Sequence, residues 1–314
     1  MSELPAFLDR TRPEVPDLAV PRGVTPFFLP RLPVRGRLVR LGPLAHTMLM
    51  RHDHTPPVRA LLGQALALAA GLSTALKFSG SFSLQAKGDG AVPMLIADCT
   101  EAGALRGYAR YDAEKDNLAT SARGLLGDGY LAFTVDQGPD TERQQGIVSL
   151  EGESLAEMAR HYFDTSEQLP GAIFLAAGET PSGWRASALI LERIAGAGGI
   201  DPSLNETEQD EAWRTAHILA MTITEAELLD DALTPERLLY RLFHGEGVAV
   251  DRPRPLAYGC RCSRARLADI LEGFDQDDLD HMSIDGDIVM TCEFCNFDFR
   301  FPRISVQGRK TEES

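Results

Sequence analysis

Four cysteines near the C-terminus carry the most specific chemistry in this chain. They form two close pairs, Cys260-Arg-Cys262 and Cys292-Glu-Phe-Cys295, with twenty-nine residues between them. Two such pairs separated by a loop are how a short chain surrounds one tetrahedral Zn²⁺. All four ligands would be thiolates, which bind zinc tightly and are also the groups that oxidants attack. The expected cofactor is one Zn²⁺ per chain in the reduced form, held by Cys260, Cys262, Cys292 and Cys295. The site can act as a structural staple, a redox trigger, or both. The fifth cysteine, Cys99, ends the apolar run 94–97 and is expected to be a buried thiol.

Other metal and catalytic readings are weaker. There is no Gly-rich phosphate loop, no G-x-S-x-G elbow and no H-E-x-x-H. Gly124-Leu-Leu-Gly127-Asp-Gly129 lacks the Lys-Ser/Thr of a nucleotide loop and reads as a turn. His52-Asp-His54 has metal-like spacing but sits beside Pro56 and Pro57 at a helix entrance. His244-Gly-Glu246 with Cys292 and Cys295 resembles a zinc deaminase signature. That reading leaves Cys260 and Cys262 without a role, and a closed four-thiolate shell has no open position for an activated water. No catalytic residue is assigned, and the chain is not expected to be an enzyme. A zinc ribbon that binds nucleic acid, through Arg261, Arg264 and Arg266, is the alternative to a redox role, as is a purely structural zinc. The loop between the cysteine pairs opposes the ribbon, because Asp275, Asp277, Asp278, Asp280, Asp285 and Asp287 crowd it with negative charge.

Composition and charge agree with a globular, non-nucleic-acid protein. Of the 314 residues, 44% are hydrophobic and 25% charged, and Lys and Arg are outnumbered by Asp and Glu, 31 to 46, giving a net charge of −15. Generic nucleic-acid binding draws most of its energy from cations on phosphates. Residues 1–20 contain no long apolar run, so a signal peptide is not expected. The most apolar stretch, 58–78, is interrupted by Arg59, Gln64 and Lys77 and reads as a core helix instead of a membrane span. The expected location is a reducing cytoplasm, where close cysteine pairs hold metal more often than disulfides.

The elements that must position the cysteines divide the chain into zones. Residues 1–35 carry seven prolines and read as a proline-rich arm. Residues 36–196 read as an α+β core. A helix is expected from Pro57 to about Lys77, and strands near 82–87, 92–98, 105–110, 130–135, 145–150, 172–176 and 186–191. Ser154-Leu-Ala-Glu157 is a capping box that opens a helix to about Phe163. Gly196, Gly198 and Gly199 then break the chain. Residues 197–250 read as an acidic helical linker. Within 200–250 there are eleven acidic residues against three basic ones, a net of −8. Thr224-Glu-Ala-Glu227 is a second capping box, and Thr234-Pro235 is an N-cap with proline at the first helical position. Such short acidic helices need a surface to lie on. Trp213, Leu228, Leu229, Leu238, Leu242 and Phe243 are the residues expected to pack there. Residues 251–305 form the cysteine module, with a tail over 306–314. A module of this size buries too little to fold securely alone. A structural zinc can supply an apparent ~10–16 kcal/mol that becomes folding energy.

Tyr258-Gly-Cys260-Arg-Cys262-Ser-Arg264 and Cys292-Glu-Phe-Cys295 resemble the zinc module of the heat shock protein 33 family of redox-regulated holdase chaperones. Leu76-Lys77-Phe78-Ser-Gly80, Leu84-Gln85, Gly88-Asp-Gly90, Gln145-Gly146-Ile147-Val148, Tyr162-Phe163, Ser166-Glu167-Gln168 and Glu227-Leu228-Leu229 follow in the family's order. The resemblance covers roughly residues 35–302. It departs in the longer proline-rich arm and in Arg143-Gln144-Gln145-Gly146, where Tyr-Gln-Gly is expected. The resemblance implies a mechanism. The reduced, zinc-bound form is inactive. Oxidation releases zinc and forms disulfides Cys260–Cys262 and Cys292–Cys295. The module and linker unfold, apolar surface binds unfolding client proteins, and activated subunits form a homodimer without using ATP. No nucleic acid and no membrane are implied as partners.

Overall fold

The computed structural model describes residues 18–74, 80–115, 119–137, 141, 143–167, 171–194, 206–306 and 308. Expectations for residues 1–17, for Leu76 to Ser79, for Gln168, for the glycines at 196–199 and for the tail beyond 308 lie outside these residues. The described chain falls into two compact units, one over residues 18–259 and one from Cys260 onward.

The larger unit is built on one sheet. Its strands are β1 (Ala19–Leu29), β2 (Val34–Arg40), β3 (Ser81–Gly88), β4 (Met94–Thr100), β5 (Ala104–Arg110), β6 (Gly129–Asp136), β7 (Gln144–Ser149), β8 (Gly171–Thr180), β9 (Gly183–Arg193), β10 (Ala249–Val250) and β11 (Arg254–Tyr258). The order is β7-β6-β3-β4-β5-β11-β1-β2-β9-β8, with β10 also on β1. All pairs are antiparallel except β11 with β5. Helices α1 (Pro43–Leu49), α2 (Pro56–Ser73), α3 (Ala122–Leu126) and α4 (Leu155–Tyr162) complete the part before the linker. The fold is α+β.

Two expectations are corrected here. The proline-rich stretch 1–35 is not an arm throughout, because residues 19–29 form a strand inside the sheet. Val24, Phe27 and Leu29 are buried. The prolines are placed where the ladder tolerates a missing N–H. Pro21 falls where the β1–β11 register shifts. Pro26 lies where the partner changes from β11 to β10, and its carbonyl accepts from the Asp251 N–H at 2.9 Å. The second correction concerns residues 251–259, expected in the cysteine module. β11 instead pairs with β1 and β5 in the large sheet, with Leu256 buried opposite Val20.

The sheet separates two cores, which explains the long apolar runs of its strands. Strand side chains alternate between faces. On β9, Ala188 and Ile190 point to one face, and Leu189 and Leu191 to the other. The first face packs around α2. Thirteen of that helix's eighteen residues are buried, so it is enclosed on several sides. Gly71 allows close approach, since a Cβ there would lie 2.5 Å from Ile190 Cδ1. The second face carries Phe27 and Leu29 of β1, Val34 and Leu38 of β2, and Ala172 and Ala176 of β8.

The acidic linker lies on that second face. It forms α5 (Glu206–Ala220), α6 (Glu225–Leu229) and α7 (Pro235–Phe243). Thr224 and Glu227 make the reciprocal capping box, and Thr234 Oγ1 accepts from Arg237 N–H. Leu228, Leu238, Leu242 and Phe243 are buried in the second core. Trp213 and Leu229 are half-buried against it. Phe243 stacks on Phe27 with ring centroids 5.6 Å apart. The apolar stripe of α7, opposite its charged face, is therefore what the sheet covers.

Candidate metal centre

The smaller unit has a core of six buried apolar residues among those described: Leu271, Leu279, Ile288, Phe299, Phe301 and Val306. Its elements are α8 (Arg264–Leu271), α9 (Gln276–Met282), β12 (Ser283–Ile284), β13 (Asp287–Thr291) and β14 (Asp298–Pro302). The three strands form a meander in the order β12-β13-β14. Asp285-Gly286 joins β12 to β13, both residues with positive φ, as a two-residue hairpin loop demands. Arg264 ties α8 to β14. Its guanidinium donates to the Arg300 carbonyl at 2.6 Å and sits 4.5 Å from the Phe301 ring centroid. Arg264 is thus engaged within the module.

Each cysteine pair is fixed by a local turn. Cys260 and Cys262 immediately precede Ser263, the N-cap of α8, whose Oγ accepts from Arg266 N–H. Cys292 and Cys295 occupy the turn between β13 and β14. There the Asn296 N–H donates to the Cys292 carbonyl at 2.7 Å, and the Cys292 N–H donates to the Phe297 carbonyl at 2.9 Å. Asn296 takes a positive φ of 52°, which turns the chain back and aims both thiols inward.

All four sulfurs lie within 4.8 Å of one another. Sγ separations are 3.4 Å for Cys260–Cys262 and 3.6 Å for both Cys260–Cys292 and Cys262–Cys295. A tetrahedron of sulfurs around zinc at about 2.3 Å has edges of about 3.8 Å, so the cage has the dimensions such an ion needs. None of the four is in a disulfide. Their mutual hydrogen bonds split their acidities. Cys260 is lowered to about 7, chiefly by hydrogen bonding with Cys262, and Cys292 falls well below the ordinary thiol range, chiefly through Cys260. Cys262 and Cys295 are pushed up, each chiefly by its bond with Cys260. Without a cation the cage cannot carry four negative charges, whereas a divalent ion favours the thiolate at every position.

Among the described residues, this is the one group of three or more His, Cys, Asp or Glu whose ligand atoms converge as a metal requires. His244 and Glu246 form a short turn after α7 and do not join it. His52 and His54 stack with ring centroids 5.1 Å apart. His54 is buried, and burial followed by the neighbouring His52 lowers it to about 4, so it is neutral near pH 7. Cys99 is fully buried in the first core, its sulfur 3.5 Å from the Thr100 carbonyl oxygen.

Sequence reasoning missed the polar anchors of the linker. Arg40, at the end of β2, donates to the carbonyls of Glu227, Asp230 and Leu233 at 2.7, 2.6 and 2.5 Å. Burial lowers its pKa, opposed by Asp230 and Asp231. Arg185 Nε pairs with Asp231 at 2.7 Å, and Arg193 with Asp210 at 2.6 Å. Only the linker's excess of acid hinted that cations would face it.

The family model described as Hsp33 protein matches residues 23–302. The 33 kDa chaperonin of Caulobacter vibrioides is 40% identical over 284 residues, covering 87% of this chain and 92% of that protein. The 33 kDa chaperonin of Pseudomonas aeruginosa is 39% identical over 270 residues, covering 85% and 87%. Among solved structures, the 33 kDa chaperonin (heat shock protein 33 homologue) of Thermotoga maritima has a TM-score of 0.73 and 23% identity, over 91% of this chain and 96% of that one, a likeness of fold. With the four-cysteine cage on a small unit and a family match spanning both units, the chain belongs to the Hsp33 family of chaperones.

Proposed function

We propose that this protein is a redox-regulated, ATP-independent holdase whose switch is the four-cysteine cage. The observation that carries the reading is the second core. A sheet face bearing Phe27, Leu29, Val34, Leu38, Leu189 and Leu191 is covered by three helices that together net four negative charges. Such a face, once uncovered, suits the apolar segments of unfolding client proteins.

In the reduced state, one Zn²⁺ held by Cys260, Cys262, Cys292 and Cys295 stabilises the thiolates and supplies folding energy to the small unit. That unit's six-residue core is too small to persist alone. A peroxide takes two electrons from each close pair. Two thiolates become one disulfide, and the peroxide gains two protons and leaves as two waters. The expected pairs are Cys260–Cys262 and Cys292–Cys295, because once the cage opens the 3.6 Å contacts across it are lost while each thiolate stays tethered to its pair mate through one or two intervening residues. A disulfide sulfur is a poor ligand, so the cage loses its ion and the unit unfolds. The linker helices then lose support and leave the sheet face. Two activated subunits associate as a homodimer. The buried Cys99 takes no part. The protein acts in the cytoplasm; none of its described helices is long and apolar enough to cross a membrane.

The test is suppression of aggregation of a thermally unfolding client by the reduced and the peroxide-treated protein. Activity only after oxidation supports the reading. Equal activity, or none, in both forms overturns it.

A further inference from the structure

A cavity of about 600 Å³ in the larger unit, whose lining includes none of the four cysteines, carries four arginines, Arg35, Arg37, Arg252 and Arg254. Its floor is β1, at Pro26, Phe27 and Phe28. The two arginine pairs stand on either side of that strand. Arg35 and Arg37 are alternate residues of β2, which pairs with one edge of β1. Arg254 begins β11, opposite Val24 on the other edge of β1, and Arg252 lies in the short link between β10 and β11, both of which pair with that edge. Pro253 and Pro255 bias the arginine before each to extended backbone, and both arginines line the cavity.

The charges of this cavity do not cancel. Arg37 is buried and bonds the Glu192 carboxylate at 2.6 Å, and Arg35 bonds the same carboxylate at 2.7 Å. Burial opposes ionisation of Glu192, but Arg37 and Arg35 outweigh it and hold its carboxyl below the ordinary range. One carboxylate therefore serves two guanidiniums. Arg252 and Arg254 are exposed, and among the described residues neither guanidinium has an ion-pair partner. Asp251 is the one acid in the lining, and its carboxylate already accepts from the Arg252 N–H at 2.6 Å. Four cations against Glu192 and Asp251 leave a net of two positive charges, within a chain of net charge −15.

We propose that this cavity binds a small, multiply charged phosphate anion. Guanidinium forks match phosphate oxygens bidentately, and cations held over an apolar floor focus a local field that the distant acidic residues do not cancel. The strands flanking β1 stand about 10 Å apart, so a chain of linked phosphates reaches both arginine pairs better than a single ion does. A concave site with cations on two sides also suits a compact anion better than an extended acidic peptide. The proposal is independent of the redox reading, because it concerns the reduced protein and a binding event.

The test is calorimetric titration of the full-length reduced protein at fixed ionic strength with inorganic tripolyphosphate, orthophosphate, sulfate and an oligoglutamate peptide. The expected result is saturable binding, with tripolyphosphate at least tenfold tighter than orthophosphate or sulfate. The double variant Arg252→Ser with Arg254→Ser should lose at least tenfold in affinity. A second measurement needs no variant: hydrogen exchange of the wild type should show the amides of Asp251, Arg252 and Arg254 slowed by tripolyphosphate. Binding that vanishes at fixed ionic strength, oligoglutamate binding as tightly as tripolyphosphate, unchanged affinity in the folded double variant, or protection elsewhere in the chain would each overturn the proposal.

Discussion

Replacing Phe243 by Ala separates the linker's hold on the sheet from the stability of the sheet itself. Phe243 is fully buried at the end of α7, stacked on Phe27 and surrounded by Leu238, Leu239 and Leu242. Truncating a buried Phe removes its transfer energy and leaves a cavity, at a cost of about 3–5 kcal/mol. The loss falls on the docked linker, because the partner rings and leucines on the sheet side keep their own neighbours. A loss of about 3 kcal/mol raises the undocked population by roughly two orders of magnitude, since every 1.4 kcal/mol is tenfold. The assay is amide exchange in the reduced protein. Amides of α7 should lose protection by roughly that factor, while those of α2, enclosed in the first core, keep theirs. If the proposed switch holds, the reduced variant also gains partial protection of an unfolding client. Unchanged exchange in α7, or an equal loss in α2 and α7, would refute the claim that the linker opens as its own unit.

Other perturbations reach the same account from different sides. Cys292→Ser removes one thiolate from the cage; zinc content of the purified reduced protein should fall well below one per chain, and the variant should suppress aggregation in excess reductant. Arg40→Ala leaves the carbonyls of Glu227, Asp230 and Leu233 without their donor, at a cost of about 1–3 kcal/mol, and exchange should quicken between Thr224 and Pro235 ahead of the rest of the chain. His54 is lowered from 6.5 to about 4 in the folded state, so the unfolded chain binds the extra proton first as pH falls. Its contribution to stability is therefore full above pH 6.5 and is lost progressively down to about pH 4. His54→Gln should flatten the fall in melting temperature across that window, and an unchanged slope would assign it to other groups.

What could be read from the sequence was what local physics decides. The spacing of the cysteine pairs depends on turn geometry, and the turn at Cys292 to Cys295 closes through bonds within five residues. Ser154 with Glu157, and Thr224 with Glu227, form their capping boxes because both partners lie on one helical turn. The amphipathic stripe of α7 survives in isolation as a pattern, so its buried side was legible without knowing its partner. Long-range pairing was not legible. β1 carries Pro21 and Pro26, which argue against a strand until a register shift and a change of partner place them harmlessly. β11 lies six residues or fewer from Cys260 and read as part of the module, yet it completes a sheet whose other strands come from the first 193 residues and the linker's end. Arg40 was invisible for the same reason: its three acceptors are carbonyls almost two hundred residues away, which carry no side-chain signature.

The central claim is that oxidising the cage frees the linker. Hydrogen exchange across residues 206–250, measured on the same preparation before and after peroxide treatment, tests it most directly. The account predicts that α5, α6 and α7 are protected in the reduced form and exchange at near-unfolded rates after oxidation, while α2 and the strands around it stay protected. Linker helices that remain protected once zinc has been lost and both disulfides have formed would contradict it.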